Sequence, residues 1–277
     1  MPYPDVGIWF DVPEADYHSL TAASNSNLGK ILRSPAHLKW DLDNPRASDT
    51  PAFRLGSAAH SILLEPHLFQ DTYARGPDGD RRTKAVREEW KEKEESFGAN
   101  YVLTPAQWDA VHHIEQAVGD HTAASRLLYA PGESEVTLIW DDAETGVRCK
   151  ARSDRLPFDK QMGIGDLKTT KDASPKAFAK SLWAYGYHRQ AAHYLNGLAV
   201  LDTPRRFFTF AAVEKEPPFG VAVYQIDDGS IDAGAHQIRS LLQIYARCQE
   251  SGVWPAYPDE IQDIAIPPWA FSEIDRT

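Results

Sequence analysis

Met162-Gly163-Ile164-Gly165-Asp166-Leu167-Lys168 decides how this chain of 277 residues is read. An apolar approach runs into an acid-x-lysine triplet, so a strand that enters the interior carries two charges at its end. Burying such charges is costly unless a metal or another partner compensates. Side chains alternate along a strand, which sets Asp166 and Lys168 on one face with the Leu167 carbonyl between them. Read alone, Asp-x-Lys is a common triplet and more usually marks two exposed residues on an edge strand.

Working outward, Val136, Leu138 and Trp140 alternate with polar neighbours, a turn falls at Asp141 to Gly146, and Val147 to Leu156 forms the next strand. These strands bring Glu135 and Asp154 towards Asp166. Helical periodicity returns at Ser174 to Trp183 and Tyr187 to Leu198, then strands at Phe207 to Val213 and Gly220 to Ile226, then a helix from Ile231 to Gln249. Upstream, Ser24 to Asn27 and Ser34-Pro35 start two short helices. Further helices span Phe53 to Leu64, Lys84 to Ser96 and Thr104 to Gly119, with Arg75 to Arg82 expected as a mobile loop. The expected fold is α/β (α+β), a central mixed β-sheet flanked by helices. We read residues 1–277 as one domain, with a helical N-terminal portion at about 17–130 and a sheet region at about 131–250.

Composition narrows the function. Cys149 and Cys248 supply neither a disulfide framework nor a four-thiolate metal site, which fits a reducing cytoplasm. No basic leader followed by an apolar run opens the chain, and no uninterrupted apolar stretch approaches membrane-spanning length, so a soluble protein without a membrane partner is expected. The net charge is −11. Yet Val147 to Gln190 holds ten Lys/Arg against four acids, a strip of +6 in an otherwise acidic chain. Such a strip suits either a groove that holds a polyanion in one place or a merely solvated surface.

Hydrolysis of a phosphodiester needs concentrated positive charge and an activated water. Asp154 and Asp166 on neighbouring strands offer hard oxygen ligands for Mg²⁺, with Mn²⁺ as a possible substitute. Lys168 is placed to orient or help deprotonate the water and to offset charge on phosphate, and the Leu167 carbonyl is within reach of the metal. Gly56 and His60 share a helical face, as do Gln190, Tyr194 and Tyr187. His60 can offer a neutral imidazole, although a lone histidine is more often packed or solvent-facing. Gln190 and Tyr194 can hydrogen-bond a phosphate or Lys168; aromatic core packing is the alternative, above all for Tyr187. Glu135 is a metal ligand or a solvent-facing strand acid, and Arg152, Arg155 and Tyr187 are read as DNA contacts, with an ion pair at the sheet edge the alternative for one of the arginines.

Asp154 with Asp166-Leu167-Lys168, Gly56-Ser57-Ala58-Ala59-His60 and Gln190-Ala191-Ala192-His193-Tyr194 together resemble the PD-(D/E)XK nuclease superfamily, and within it the RecE-type phage exonucleases (exodeoxyribonuclease VIII). Tyr17-His18-Ser19-Leu20 and Ser24 to His37 resemble that family's opening, so the likeness runs from about Tyr17 to Pro258. Asp166 stands where Glu is commoner. The resemblance implies a magnesium-dependent exonuclease of phage or prophage origin in a bacterial cytoplasm. It would digest one strand of linear duplex DNA from its 5′ end, as a homo-oligomeric ring, and leave a 3′ overhang for a RecT-like annealing partner. Two rivals stand beside it: a RecB-like nuclease acting on single strands or endonucleolytically, and an inactive DNA-end-binding or recombinase-loading protein.

Overall fold

Ser24, Ser34, Thr50 and Thr104 each accept a backbone N–H from three residues on, and Thr104 with Gln107 completes a capping box. These caps begin four of the helices in a computed structural model that describes residues 5–45, 50–267 and 270–271. In chain order the elements are β1 (Gly7–Trp9), α1 (Glu14–Ser19), α2 (Asn25–Ile31), α3 (Pro35–Asp43), α4 (Pro51–Leu64), α5 (Pro66–Thr72), β2 (Ala74–Arg75), α6 (Lys84–Phe97), β3 (Val102–Leu103), α7 (Pro105–Asp120) and α8 (Thr122–Leu128). There follow β4 (Gly132–Asp141), β5 (Arg148–Pro157), β6 (Ile164–Thr170), α9 (Pro175–Ala184), α10 (Tyr187–Val200), β7 (Phe208–Glu214), β8 (Val221–Gln225) and α11 (Asp228–Ser251).

The main sheet is ordered β1-β4-β5-β6-β7-β8. Every pairing in it is antiparallel except β6 with β7. Parallel neighbours need a crossover, and α9 and α10 provide it. β2 and β3 pair separately.

β6 is the spine of the molecule, because it is buried on both faces. Ile164 packs with Leu138, Trp140, Phe208 and Phe210 beneath α10 and α11. Leu167 points the other way, into a second cluster with Ala58, Leu63, Val111, Ile114, Ala211 and Val213. A strand covered on both sides reads as an apolar run, which is why Met162 to Gly165 lacks a polar alternation. Gly163 makes the entry possible: its φ is +76°, and a Cβ there would stand 2.2 Å from the Phe207 carbonyl oxygen.

The expected sheet and its flanking helices are present. β1, α1, α5 and α8, and the β2–β3 pair, were not anticipated; each is at most seven residues long and too short to show a period. The segment Arg75 to Arg82, expected as a mobile loop, carries surface ion pairs of Arg75 with Asp78, Arg82 with Asp80 and Arg81 with Glu94. Among the described residues, no helix is long and apolar enough to cross a membrane.

Candidate active site

Arg155 of β5 lies opposite Gly165 of β6, and the antiparallel register carries Asp154 to the position facing Asp166. The Leu167 backbone N–H donates to Asp154 Oδ2 at 2.7 Å, locking that carboxylate over the β6 backbone. Lys168 Nζ reaches Asp166 Oδ2 at 2.5 Å, so the two residues share a face as their spacing requires.

Helix α4 adds His60. Its ring Nδ1 is 2.9 Å from the Gly56 carbonyl oxygen, while Nε2 is 3.0 Å from the Leu167 carbonyl oxygen and 3.4 Å from Asp154 Oδ2. A donor bond from Nδ1 to Gly56 fixes the ring and aims Nε2 at the acids. Gly56 also lets α4 approach β6, since a Cβ there would lie 3.2 Å from Thr169 Oγ1.

Glu135 sits in β4 between Ser134 and Val136, whose partners Arg155 and Ser153 flank Asp154. Its φ is +52°, a left-handed conformation rare for a side-chain-bearing residue in a strand. Strain of this kind persists only where surroundings impose it, and it gathers at functional sites. Arg152 Nε donates to Glu135 Oε2 at 2.5 Å and Arg152 Nη1 to the Val12 carbonyl at 3.1 Å.

The three acids are thus each matched by a cation: Asp154 with His60, Asp166 with Lys168, Glu135 with Arg152. Their mutual repulsion remains visible. Burial and then the charge of Asp154 push Asp166 up to about 6 and Glu135 up to about 7. Burial alone would lower His60, but its hydrogen bond to Asp154 and that carboxylate's charge carry it up to about 9. Burial likewise opposes the Lys168 ammonium, and Asp166 and Asp154 together raise it. Asp154 is held low despite its burial, chiefly by His60.

Among the described residues, no three His, Cys, Asp or Glu side chains already form a coordinating set. The donors are nevertheless suited to a hard divalent cation: two carboxylates, the Leu167 carbonyl and an oriented imidazole that becomes a ligand once a metal displaces its proton. Asp166 is fully buried, and Asp166 Oδ2 has the close Lys168 ammonium but no well-directed hydrogen bond. A metal on that oxygen would share it with, or displace, the Lys168 ammonium.

Helix α10 differs in detail from expectation. Gln190 Nε2 donates to Asp166 Oδ1 at 2.5 Å. Among the described residues neither Gln190 nor Tyr194 hydrogen-bonds Lys168, because a fully buried carboxylate claims the amide first. Tyr194 packs against Phe208 and His193, and burial holds its phenol well above the usual range. Tyr187 lies over Lys168 Nζ, 4.9 Å from ring centroid to ammonium.

The structure turns part of the basic strip inward and leaves Lys160, Lys171, Lys176 and Lys180 exposed. Arg148 pairs with Asp141; Lys150 is buried, its ammonium on the Tyr17 and Leu20 carbonyls at 2.7 and 2.9 Å. Arg155 bonds Ser134 Oγ at 2.8 Å and the Ala130 carbonyl, and Arg189 bonds Gln237. Arg152 and Arg155 therefore face neighbouring strand and loop groups rather than an open surface. In cross-strand positions an inward cation meets carbonyls and acids, and counting charge along the chain cannot reveal this. The sequence marks Tyr17 only within the opening Tyr17-His18-Ser19-Leu20; the structure sets its ring 4.7 Å from Lys150 Nζ and 5.7 Å from the Arg152 guanidinium.

With fold and site in place, the chain can be set beside known proteins. Residues 24–265 match the family described as a PDDEXK-like domain of unknown function (DUF3799), and the chain belongs to that family. No curated protein matches it significantly. A crystal structure of a candidate exonuclease from Eubacterium rectale superposes with a TM-score of 0.62 at 14% identity, over 95% of this chain and 99% of that one, and so shares the fold. The crystal structure of SSO0001 gives a TM-score of 0.29 at 16% identity over 68% of this chain and 85% of that one.

Proposed function

We propose that the protein is a divalent-metal-dependent deoxyribonuclease that digests linear duplex DNA from its ends. The observation that carries this reading is the convergence of Asp154, Asp166 and Lys168 at the facing edge of β5 and β6, in a chain of the PDDEXK-like family. Asp154, Asp166, the Leu167 carbonyl and His60 Nε2 would hold Mg²⁺ or Mn²⁺, with Glu135 as a further acid. Bound there, the ion supplies Lewis-acid polarisation of the phosphate and a more acidic water.

The chain's own residues do the rest. Gln190 and the Leu167 N–H fix one oxygen of each aspartate, so the two carboxylates do not swing. Lys168 holds its ammonium beside them, placed to neutralise charge that builds on a phosphate oxygen. Tyr187 covers that ammonium and limits its access to water.

A 5′ to 3′ direction, 3′ overhangs handed to a RecT-like annealing partner, ring assembly and a phage or prophage origin in a bacterial cytoplasm are part of the proposal, supported by the RecE-type resemblance. The test is linear duplex DNA labelled at either end, incubated with Mg²⁺ beside a circular duplex and an EDTA control. Label release from the 5′ end with the circle intact is expected. Cutting of the circle would instead favour an endonuclease, and binding without digestion in any metal would favour an end-binding protein.

A further inference from the structure

At the carboxyl ends of β6 and β7 a cleft of about 270 Å³ opens beside the acids, lined by Thr169, Thr170, Lys171, Lys215, Tyr185 and Tyr187 among others. Tyr187 is shared with the centre, since the same ring covers Lys168. Tyr185 stands next in line, 5.6 Å from Tyr187 between ring centroids, and it is 69% exposed. Lys171 and Lys215 make no ion pair or side-chain hydrogen bond among the described residues, unlike Arg148, Lys150, Arg152 and Arg155. The one acid in the lining, Asp172, is turned to the Ser174 backbone N–H at 2.8 Å. Two free ammonium groups, the Thr169 hydroxyl and an open aromatic ring in series with the site match alternating phosphates and bases, while the Thr170 hydroxyl is engaged with the Asp172 backbone.

We propose that this cleft binds an unpaired nucleotide of the DNA strand adjoining the bond to be cut, its base stacked on Tyr185 and its flanking phosphates on Lys171 and Lys215. An exposed ring can stack on an internal base only if that base has left its own duplex stack, so a strand that threads past Tyr185 to the site is single. This inference rests on the nuclease reading for which strand enters, while the binding itself is measured without cleavage.

The experiment follows a fluorescein-labelled oligothymidylate by anisotropy in EDTA, with full-length protein. Tyr185→Ala is expected to weaken binding about 5- to 160-fold and Tyr185→Phe to match wild type, since stacking needs the ring and not the hydroxyl. Lys171→Ala with Lys215→Ala should lower the slope of log affinity against log salt by about 1.4, two single-strand phosphate contacts. Circular dichroism confirms that each variant folds. Trp40→Ala, which removes an exposed ring on α3, should bind as wild type. The proposal is overturned by wild-type affinity in Tyr185→Ala, by an equal loss in Tyr185→Phe or Trp40→Ala, or by no saturable binding in the wild type. Binding that depends on Tyr185 in a protein that digests no DNA with Mg²⁺ keeps the cleft and retires the nuclease; digestion with Tyr185-independent binding does the reverse.

Discussion

Gln190 and Asp166 are joined by a hydrogen bond of 2.5 Å, from the amide on α10 to a carboxylate that solvent does not reach. If Asp166 holds the metal as proposed, that bond makes Gln190 its orienting residue. Replacing partners of this kind costs about 10- to 100-fold in metal affinity or activity. Gln190→Ala should therefore shift the Mg²⁺ dependence of DNA digestion to higher metal by that order, measured as rate against Mg²⁺ concentration. Gln190→Glu, which sets a second acid against Asp166, should be worse than alanine. Equal curves for wild type and Gln190→Ala would leave the amide without a role at the centre.

Lys168 and Asp166 make a separable test of chemistry and stability. Lys168→Met keeps the side chain's length and removes its charge. Digestion should fall by about 10² to 10⁴, and stability by about 3 kcal/mol because a buried carboxylate loses its cation. Adding Asp166→Asn to Lys168→Met should recover much of the stability in urea titrations and none of the activity. Recovery of both would mean that the pair is architectural only.

Glu135 combines a left-handed backbone with a carboxylate raised to about 7. Glycine adopts that backbone freely, whereas alanine keeps the penalty of roughly 1 kcal/mol or more. Glu135→Gly should be about 1 kcal/mol more stable than Glu135→Ala, read by chemical denaturation. Both lack the acid and should lose metal-dependent activity alike. A variant pair with equal stability would show that the strand relaxes once Arg152 is released.

Buried His193 gives a pH signature. Its Nε2 lies 3.2 Å from the Lys150 carbonyl oxygen, and burial lowers its pKa from 6.5 to about 4. Between those values the unfolded chain holds the extra proton and the folded chain does not, so the contribution of His193 destabilises the fold as pH falls through that window. By linkage the loss is about 2 kcal/mol at pH 5. His193→Gln, which keeps a donor for Lys150, should show a shallower fall in stability from pH 7 to pH 5 than wild type. Parallel curves would sink the assignment.

Much of the site could be read from the chain because its core is local. Asp154, Asp166 and Lys168 lie on adjacent strands, where a period of two fixes the face and a short connection fixes the pairing. The β-sheet, its six long helices and the approach of α4 through Gly56 follow from the same periodicities. The partners could not be read this way. Arg152 meeting Glu135, Gln190 meeting Asp166 and Lys150 turning in to the Tyr17 carbonyl depend on tertiary contacts that no spacing encodes. Charge counted along the chain looked like a surface, whereas the sheet folded much of it inward. The exposed Tyr185 offered no signal beyond Tyr185-Gly186-Tyr187, because exposure is a property of packing.

The reach of His60 to the Leu167 carbonyl spans 107 positions, and Gln190 joins Asp166 from 24 positions further along. During synthesis the acids of β5 and β6 leave the ribosome well before α10 does, and α4 waits for them from much earlier. A nascent chain therefore carries its carboxylates before it can aim them. The constellation is therefore complete only when the C-terminal half has closed over the strand, and a chain that stops before α10 lacks the amide that orients Asp166.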